Sequence, residues 1–409
     1  MKILMCNKYN FVKGGAERYL FDLKAGLRGM GHTVIDFSVS SARNEHSDYS
    51  GCFVREKDYS KKSQWDIIRD LQAGVDSIYS WEAKRKISSL IDASKPDIAH
   101  IHNIYHQISS SILHALRRKK IPVVMTLHDY KLICPNYSLF TQGEPCERCE
   151  GGGYYNALAH KCLKNSYMAS FAACLEMYMT KALKIYENSV DLFIAPSKFI
   201  LSKMVEFGID QSRIKYLPYA IDLGQFNRVA KPGEYILYSG EVSEKKGVGL
   251  FLQCAREIRD VPVKIAGDGP DKDKYRSYCF AQGLKNVEFL GHKSRPDLAS
   301  VIRNALFVVV PSQWPEVCGL AVYEAFACAK CVVAANTGGI PELVEDNVTG
   351  LLFQPSDQLG LLEKINYLLR YPEQREKFGN NACQKIAGFN DRAKHYQGLI
   401  GIYENYARR

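Results

Sequence analysis

Short apolar runs alternate with longer helix-like stretches along most of the 409 residues. In the first half, Ile98-Ala99-His100-Ile101-His102, Val123-Val124-Met125-Thr126-Leu127 and Leu192-Phe193-Ile194-Ala195 have the length and apolar content of buried strands. In the second half the same reading applies to Tyr235-Ile236-Leu237-Tyr238, Val263-Lys264-Ile265-Ala266, Val287-Glu288-Phe289-Leu290, Leu306-Phe307-Val308-Val309-Val310 and Cys331-Val332-Val333-Ala334. Runs of this kind separated by helix-length segments predict parallel sheets covered on both faces. The opening Met1-Lys2-Ile3-Leu4-Met5-Cys6-Asn7-Lys8 reads as one more strand, too short and too soon polar for a secretory signal. A chain this long exceeds the usual size of one core, so the expected fold class is α/β with two doubly wound, Rossmann-like domains. The boundary is expected between Pro218 and Gly233, because the stretch 227–233 is polar and rich in breakers. That divides the chain into 1–217, 218–390 and a terminal segment 391–409, which reads as a helix from His395.

Composition fits this picture. An apolar fraction of 46% and a charged fraction of 24% belong to an ordinary globular chain. No apolar run reaches the roughly 18 residues needed to cross a bilayer, so a cytoplasmic location is expected. The formal net charge of +10 admits a polyanionic or membrane-surface partner. Its densest cluster, Arg117-Arg118-Lys119-Lys120, precedes Ile121-Pro122 and reads as a solvated helix end favoured by the helix dipole. A phosphate-bearing lipid acceptor or peripheral contact with the inner membrane face would also suit the charge. No nucleic-acid partner is expected, since no binding motif accompanies the charge.

The most informative chemistry lies in Pro315-Glu316-Val317-Cys318-Gly319-Leu320-Ala321-Val322-Tyr323-Glu324, followed by Asn336-Thr337-Gly338-Gly339-Ile340-Pro341-Glu342. A helix is expected to begin near Gly319 and Leu320, which leaves Glu316 in a loop. Eight helical residues would separate the two carboxylates by about 12 Å, roughly the reach of a sugar nucleotide from hexose to ribose. A helix N-terminus between them could receive a diphosphate. On spacing alone, however, a buried amphipathic helix with two solvated carboxylates explains the pair better.

The surrounding residues change that balance. Glu316 to Glu324, Thr337-Gly338-Gly339-Ile340-Pro341-Glu342 and Asp346-Asn347-Val348-Thr349-Gly350-Leu351-Leu352-Phe353 together resemble the signature of the retaining glycosyltransferases of family 4, which have the GT-B fold. The resemblance implies two domains with a cleft between them and a final helix crossing back onto the N-terminal domain. It implies that Glu316 binds hydroxyls of the donor sugar and Glu324 the ribose, while Cys318, Gly319 and Leu320 face the donor diphosphate. In Gly240-Glu241-Val242-Ser243-Glu244-Lys245-Lys246-Gly247, Lys246 matches the family's phosphate lysine, but Glu241 stands where the family has arginine. Either Glu241 turns away and Lys245, Arg295 or another cation compensates, or donor binding is altered. Gly267-Asp268-Gly269-Pro270 resembles the family's second glycine turn, and Gly291-His292-Lys293-Ser294 falls where the base is held.

On the acceptor side, Gly14-Gly15-Ala16-Glu17-Arg18 resembles the family's N-terminal glycine loop, with Gly15 also facing the donor. His128, before Asp129, falls where the family places a histidine beside the reacting sugar, so the expected catalytic set is His128, Glu316 and Lys246. His102 is a further acceptor-side candidate; His100 and His106 share its segment, and metal binding by the three is poorly supported because an extended strand alternates its faces.

Thirteen cysteines in a chain of this kind argue against a disulfide framework. Cys134, Cys146, Cys149 and Cys162 form C-x11-C-x2-C-x12-C in an insertion, 134–162, after His128. They can hold a structural zinc, with His160 as a substitute ligand, or remain four reduced thiols. The reading is a glycosyltransferase that needs no metal for catalysis and moves a sugar from a nucleotide diphosphate sugar to a glycan or lipid-linked acceptor in cell-surface polysaccharide synthesis. The alternatives are a non-catalytic sugar-nucleotide-binding relative and a glycoside hydrolase. Carboxylates of a hydrolase face each other at about 5 to 9.5 Å, closer than this spacing.

Overall fold

The computed structural model describes residues 1–56, 79–228 and 233–407. Among them, twelve strands build two six-stranded parallel sheets. The first holds β1 (Lys2–Cys6), β2 (Thr33–Phe37), β3 (Ile98–Ile101), β4 (Val123–Thr126), β5 (Leu192–Ala195) and β6 (Ile214–Tyr216), in the order β6-β5-β4-β3-β1-β2. The second holds β7 (Tyr235–Ser239), β8 (Val263–Ala266), β9 (Val287–Gly291), β10 (Ala305–Val310), β11 (Val332–Ala335) and β12 (Gly350–Phe353), in the order β9-β8-β7-β10-β11-β12.

Every strand expected from an apolar run is present within one or two residues. β2, β6 and β12 are additions. β2 escapes the apolar pattern because Asp36 interrupts it; that carboxylate is buried on Lys24 (2.7 Å) and accepts from Ser47 Oγ (3.0 Å). The expected domain boundary falls partly outside the described residues, since 229–232 of the stretch 227–233 belong to none of them.

The strand orders reverse direction between β1 and β3 and between β7 and β10, and ligands of open α/β sheets bind beyond strand C-termini at such points. Gly14-Gly15 and His102 follow β1 and β3; the loops with Gly240 to Lys246 and with Glu316 to Gly319 follow β7 and β10. The topology therefore delivers four candidate segments to two facing crevices.

The last helix, Arg392–Ala407, begins three residues before its expected start and packs on the N-terminal domain. Tyr403 Oη lies 2.7 Å from His100 Nδ1, His395 Nε2 lies 3.1 Å from Tyr19 Oη, and Tyr396 Oη donates to Asp22 O (2.8 Å). A side chain at Gly26 would overlap the Tyr396 hydroxyl, so this glycine lets helix Gly15–Gly29 approach the crossing helix.

Candidate active site

On the C-terminal side the site is built from loops that glycine allows to touch. Gly247 has φ 75°, and a Cβ there would lie 1.7 Å from Pro311 O. The loop after β7 thus passes directly beneath the loop after β10. Gly338 has φ 60°, and its Cβ would lie 2.2 Å from Glu316 O; Gly339 N–H donates to that same carbonyl at 2.7 Å. The Thr337 to Glu342 run therefore acts as a backbone cradle for Glu316. Gly240 pairs with β8 through its N–H to Ala266 O (3.0 Å), while Gly267 N–H donates to Gly291 O (2.9 Å), so the three glycine turns stand side by side.

Glu316 is buried, and its Oε1 accepts from Lys246 Nζ (2.6 Å) and Ser312 Oγ (2.6 Å). Lys245 and Lys246 Nζ lie 5.1 and 5.0 Å from the centre of the Trp314 ring. Glu241 turns to its own loop, with Oε2 3.3 Å from Lys245 Nζ and 3.2 Å from Ser243 Oγ. Burial opposes its ionisation, yet Lys245 and Lys246 hold its carboxyl below the usual range. Arg295 does not take the missing arginine's place: it makes a two-pronged bond to Asp22 (2.7 and 2.6 Å) and donates to Asp222 O (2.9 Å).

The helix after this loop is Leu320–Ala327, with Gly319 before it and Glu316 in the preceding non-helical segment. The 12 Å helical spacing therefore does not hold as drawn, because half of the interval is loop. Glu324 is buried in an ion pair with Arg18, reaching from the N-terminal domain. Burial first, and then the neighbouring Arg295, lower Arg18 to about 10. Cys318 Sγ meets Tyr323 Oη at 3.6 Å.

Across the cleft, Gly14 N–H donates to Glu17 Oε2 (3.1 Å), which fixes the start of helix Gly15–Gly29. A Cβ on Gly15 would lie 3.0 Å from Leu320 Cδ1. The first residues of two helices, one from each domain, thus meet at the interface, each at the positive end of its helix dipole, while the Leu320 N–H donates to Cys318 O (3.0 Å).

His128 is held on both ring nitrogens. Its Nε2 lies 2.7 Å from His102 Nδ1, and its Nδ1 is bonded to Tyr219 Oη, whose ring stacks on Tyr19 at 4.3 Å. Burial pushes His128 down to about 3, and lowers His102 strongly as well. His102 Nε2 is buried without a partner. His100 is fixed by Thr126 Oγ1 and Tyr403 Oη, both at 2.7 Å, and His106 instead lies near Glu176 (3.9 Å). Asp129 follows His128, and burial pushes its carboxyl up to about 6 against the pull of Lys131, Lys245 and Lys8.

Arg18, Ser312 and Tyr219 were not singled out in the sequence as site residues, although Arg18 stands inside the quoted glycine loop. Its partner is 306 positions away, and no local pattern links the two. In the insertion, Cys134, Cys146, Cys149 and Cys162 line one small cavity with His160. Cys134 Sγ bonds Asn136 Oδ1 (2.9 Å), and among the described residues no three His, Cys, Asp or Glu side chains already stand in a metal-holding arrangement.

Two family descriptions match consecutive parts of the chain: "Glycosyltransferase Family 4" over residues 13–225 and "Glycosyl transferases group 1" over residues 224–385. The fold is that of Anabaena HepE, solved in complex with UDP-glucose, with a TM-score of 0.72, 17% identity, and coverage of 99% of this chain and 100% of that one. The chain belongs to the GT-B glycosyltransferases. This glycosyltransferase is 25% identical to an uncharacterized glycosyltransferase of Methanocaldococcus jannaschii, over 99% of its own length and 98% of the relative's. It is also 25% identical to an uncharacterized 42.6 kDa protein in the cps region of Klebsiella pneumoniae, over 84% of its own length and 87% of the relative's.

Proposed function

We propose that this glycosyltransferase is a retaining enzyme of the family 4 type that moves a sugar from a nucleotide diphosphate sugar to a glycan or lipid-linked acceptor. The observation that carries the reading is the meeting of Gly15 and Leu320, two helix starts, with Lys246 on the C-terminal side of the cleft, 2.6 Å from Glu316. A diphosphate placed there would receive backbone N–H groups and an ammonium where its charge grows as the sugar leaves. The bond from the anomeric carbon to the β-phosphate oxygen breaks, and a bond from the acceptor oxygen to that carbon forms on the same face. The acceptor's proton passes to the departing diphosphate. Glu316 and Ser312 are assigned to the donor sugar, Glu324 with Arg18 to the ribose, and His128 with Tyr219 and His102 to the acceptor side.

The pairing of Glu241 with Lys245 weakens the case for a non-catalytic relative, because the acid no longer confronts a phosphate alone. Glu316 and Glu324 each bind their own cation, which gives no support to a hydrolase pair. A role in cell-surface polysaccharide synthesis is supported by the family resemblance and by the relative named for the cps region. Nucleotide release should depend on acceptor and disappear in Glu316→Ala; release at an unchanged rate in that variant would overturn the assignment.

The thiol cluster is assigned a structural zinc away from the chemistry. Four thiols around one cavity form a donor set suited to tetrahedral zinc, and binding would require them to turn inward. Metal analysis should find one zinc per chain, lost with Cys149→Ser; protein free of zinc and equally heat-stable after chelation would contradict it.

A further inference from the structure

Eight of the sixteen exposed large hydrophobic side chains among the described residues fall between Tyr155 and Leu183, a short stretch of the chain. Most lie on helix Tyr167–Ala182, whose opposite face buries Ala173, Cys174 and Met177. Met168, Phe171, Leu175, Tyr178 and Met179 recur at intervals of three and four, so they form one outward stripe. Met168 is 72% exposed and Phe171 51%, and just past the helix end Leu183 is 59% exposed. Exposed apolar surface gathered in this way marks an interaction site.

Charge identifies the partner. From Tyr154 to Lys184 the chain holds four lysines, Lys161, Lys164, Lys181 and Lys184, and one acid, Glu176. Glu176 is buried on the inner face, where its Oε2 accepts from Lys131 Nζ at 2.7 Å. The outer surface therefore combines aromatic and thioether side chains with a rim of lysines, of which Lys181 is paired with Glu187 at 2.9 Å and the others pair with no carboxylate among the described residues. Lys164 and Lys184 flank the helix ends and are exposed, and Lys161 lies 4.3 Å from the centre of the Tyr167 ring. An apolar stripe between lysines is complementary to an anionic bilayer, with the stripe among the upper acyl chains and the ammonium groups at the headgroups. The cluster Arg117 to Lys120 is a different feature: it ends another helix, and its Lys119 is paired with Asp92.

We propose that helix Tyr167–Ala182 docks this protein on an anionic membrane surface. The helix is anchored through Glu176 to Lys131, whose N–H donates to Asp129 beside His128. Docking would thus bring the acceptor side of the cleft close to the bilayer, and only this last link rests on the proposed transfer reaction.

Flotation of the full chain with vesicles of phosphatidylcholine alone, or of phosphatidylcholine with phosphatidylglycerol, tests the docking without any activity measurement. The protein should float with the anionic vesicles and far less with the neutral ones. Met168→Ser with Phe171→Ser and Leu175→Ser should abolish flotation while circular dichroism and the thermal midpoint stay unchanged. Lys164→Gln with Lys184→Gln leaves the apolar stripe intact and should weaken anionic binding roughly thirtyfold. No flotation of the native chain, or equal flotation of the triple-serine variant, would overturn the proposal. So would a native dimer in sedimentation velocity that the triple-serine variant breaks, since the stripe would then be an interface between copies.

Discussion

Lys246 Nζ stands 2.6 Å from Glu316 Oε1, and the two residues come from loops after adjacent strands, β7 and β10. Ser312 Oγ completes the contact on the same oxygen. The pair places a cation beside the carboxylate assigned to the donor sugar, so under the proposed function one lysine would both orient Glu316 and stabilise the leaving diphosphate. Lys246→Met should lower kcat by about 10²–10³, as loss of one charge-stabilising donor does, with the fold retained. Initial rates at saturating donor check this; a variant within a few fold of the native rate would remove Lys246 from the chemistry.

Arg18 and Glu324 link the domains through a buried carboxylate. Arg18→Ala leaves Glu324 without its cation and should cost about 1.5–3 kcal/mol, the range for a hydrogen bond to a charged group. Denaturant titration measures that loss, and the donor KM should rise as Glu324 is disturbed. The double variant Arg18→Ala with Glu324→Gln should recover part of the stability but not the donor affinity.

The sheets, their crevices and the glycine turns were legible in the sequence because each depends on a local signal: an apolar run, a breaker or a Gly-Gly pair. Lys246 and Glu316 were legible through their motifs. The contacts between them were not, since side chains from distant loops leave no periodicity. Arg18 on Glu324 and His102 on His128 exist only because the strand order sets separate segments at one crevice. The outward stripe on helix Tyr167–Ala182 was hidden differently: its inner face is also apolar, so the sequence does not reveal which side is covered.

Gly247→Ala should be severely destabilising, because its φ of 75° is costly for a side chain and its Cβ would strike Pro311 O. Gly31 is the control: its φ is 81°, yet nothing lies within 4 Å of its Cβ. Gly31→Ala should therefore cost only the conformational term, about 1–2 kcal/mol. Equal thermal midpoints for the two variants would contradict the close passage of the β7 and β10 loops.

Burial lowers His100 and His128 to about 3 and His395 to about 4, below the ordinary 6.5. Between 6.5 and those values the unfolded chain binds protons that the folded chain refuses, so the stability contributed above pH 6.5 is lost as pH falls through this window. Asp129, raised by burial to about 6 from 3.8, and Glu17, also raised by burial, act in the opposite sense, but the lowered histidines, His102 and His106 included, outnumber them. Denaturation midpoints should fall steadily from pH 7 to pH 4.5. His128→Gln should flatten part of that slope; an unchanged slope would show that His128 is not held neutral.

A crystal structure of the complex with whichever uridine or guanosine diphosphate sugar gives the largest thermal shift tests the central claim most directly. The account predicts the diphosphate at the meeting point of the two helix starts, within hydrogen-bond reach of Lys246 Nζ, with the sugar toward Glu316 and the ribose toward Glu324. A nucleotide bound elsewhere, or with its sugar and ribose ends exchanged, would contradict it.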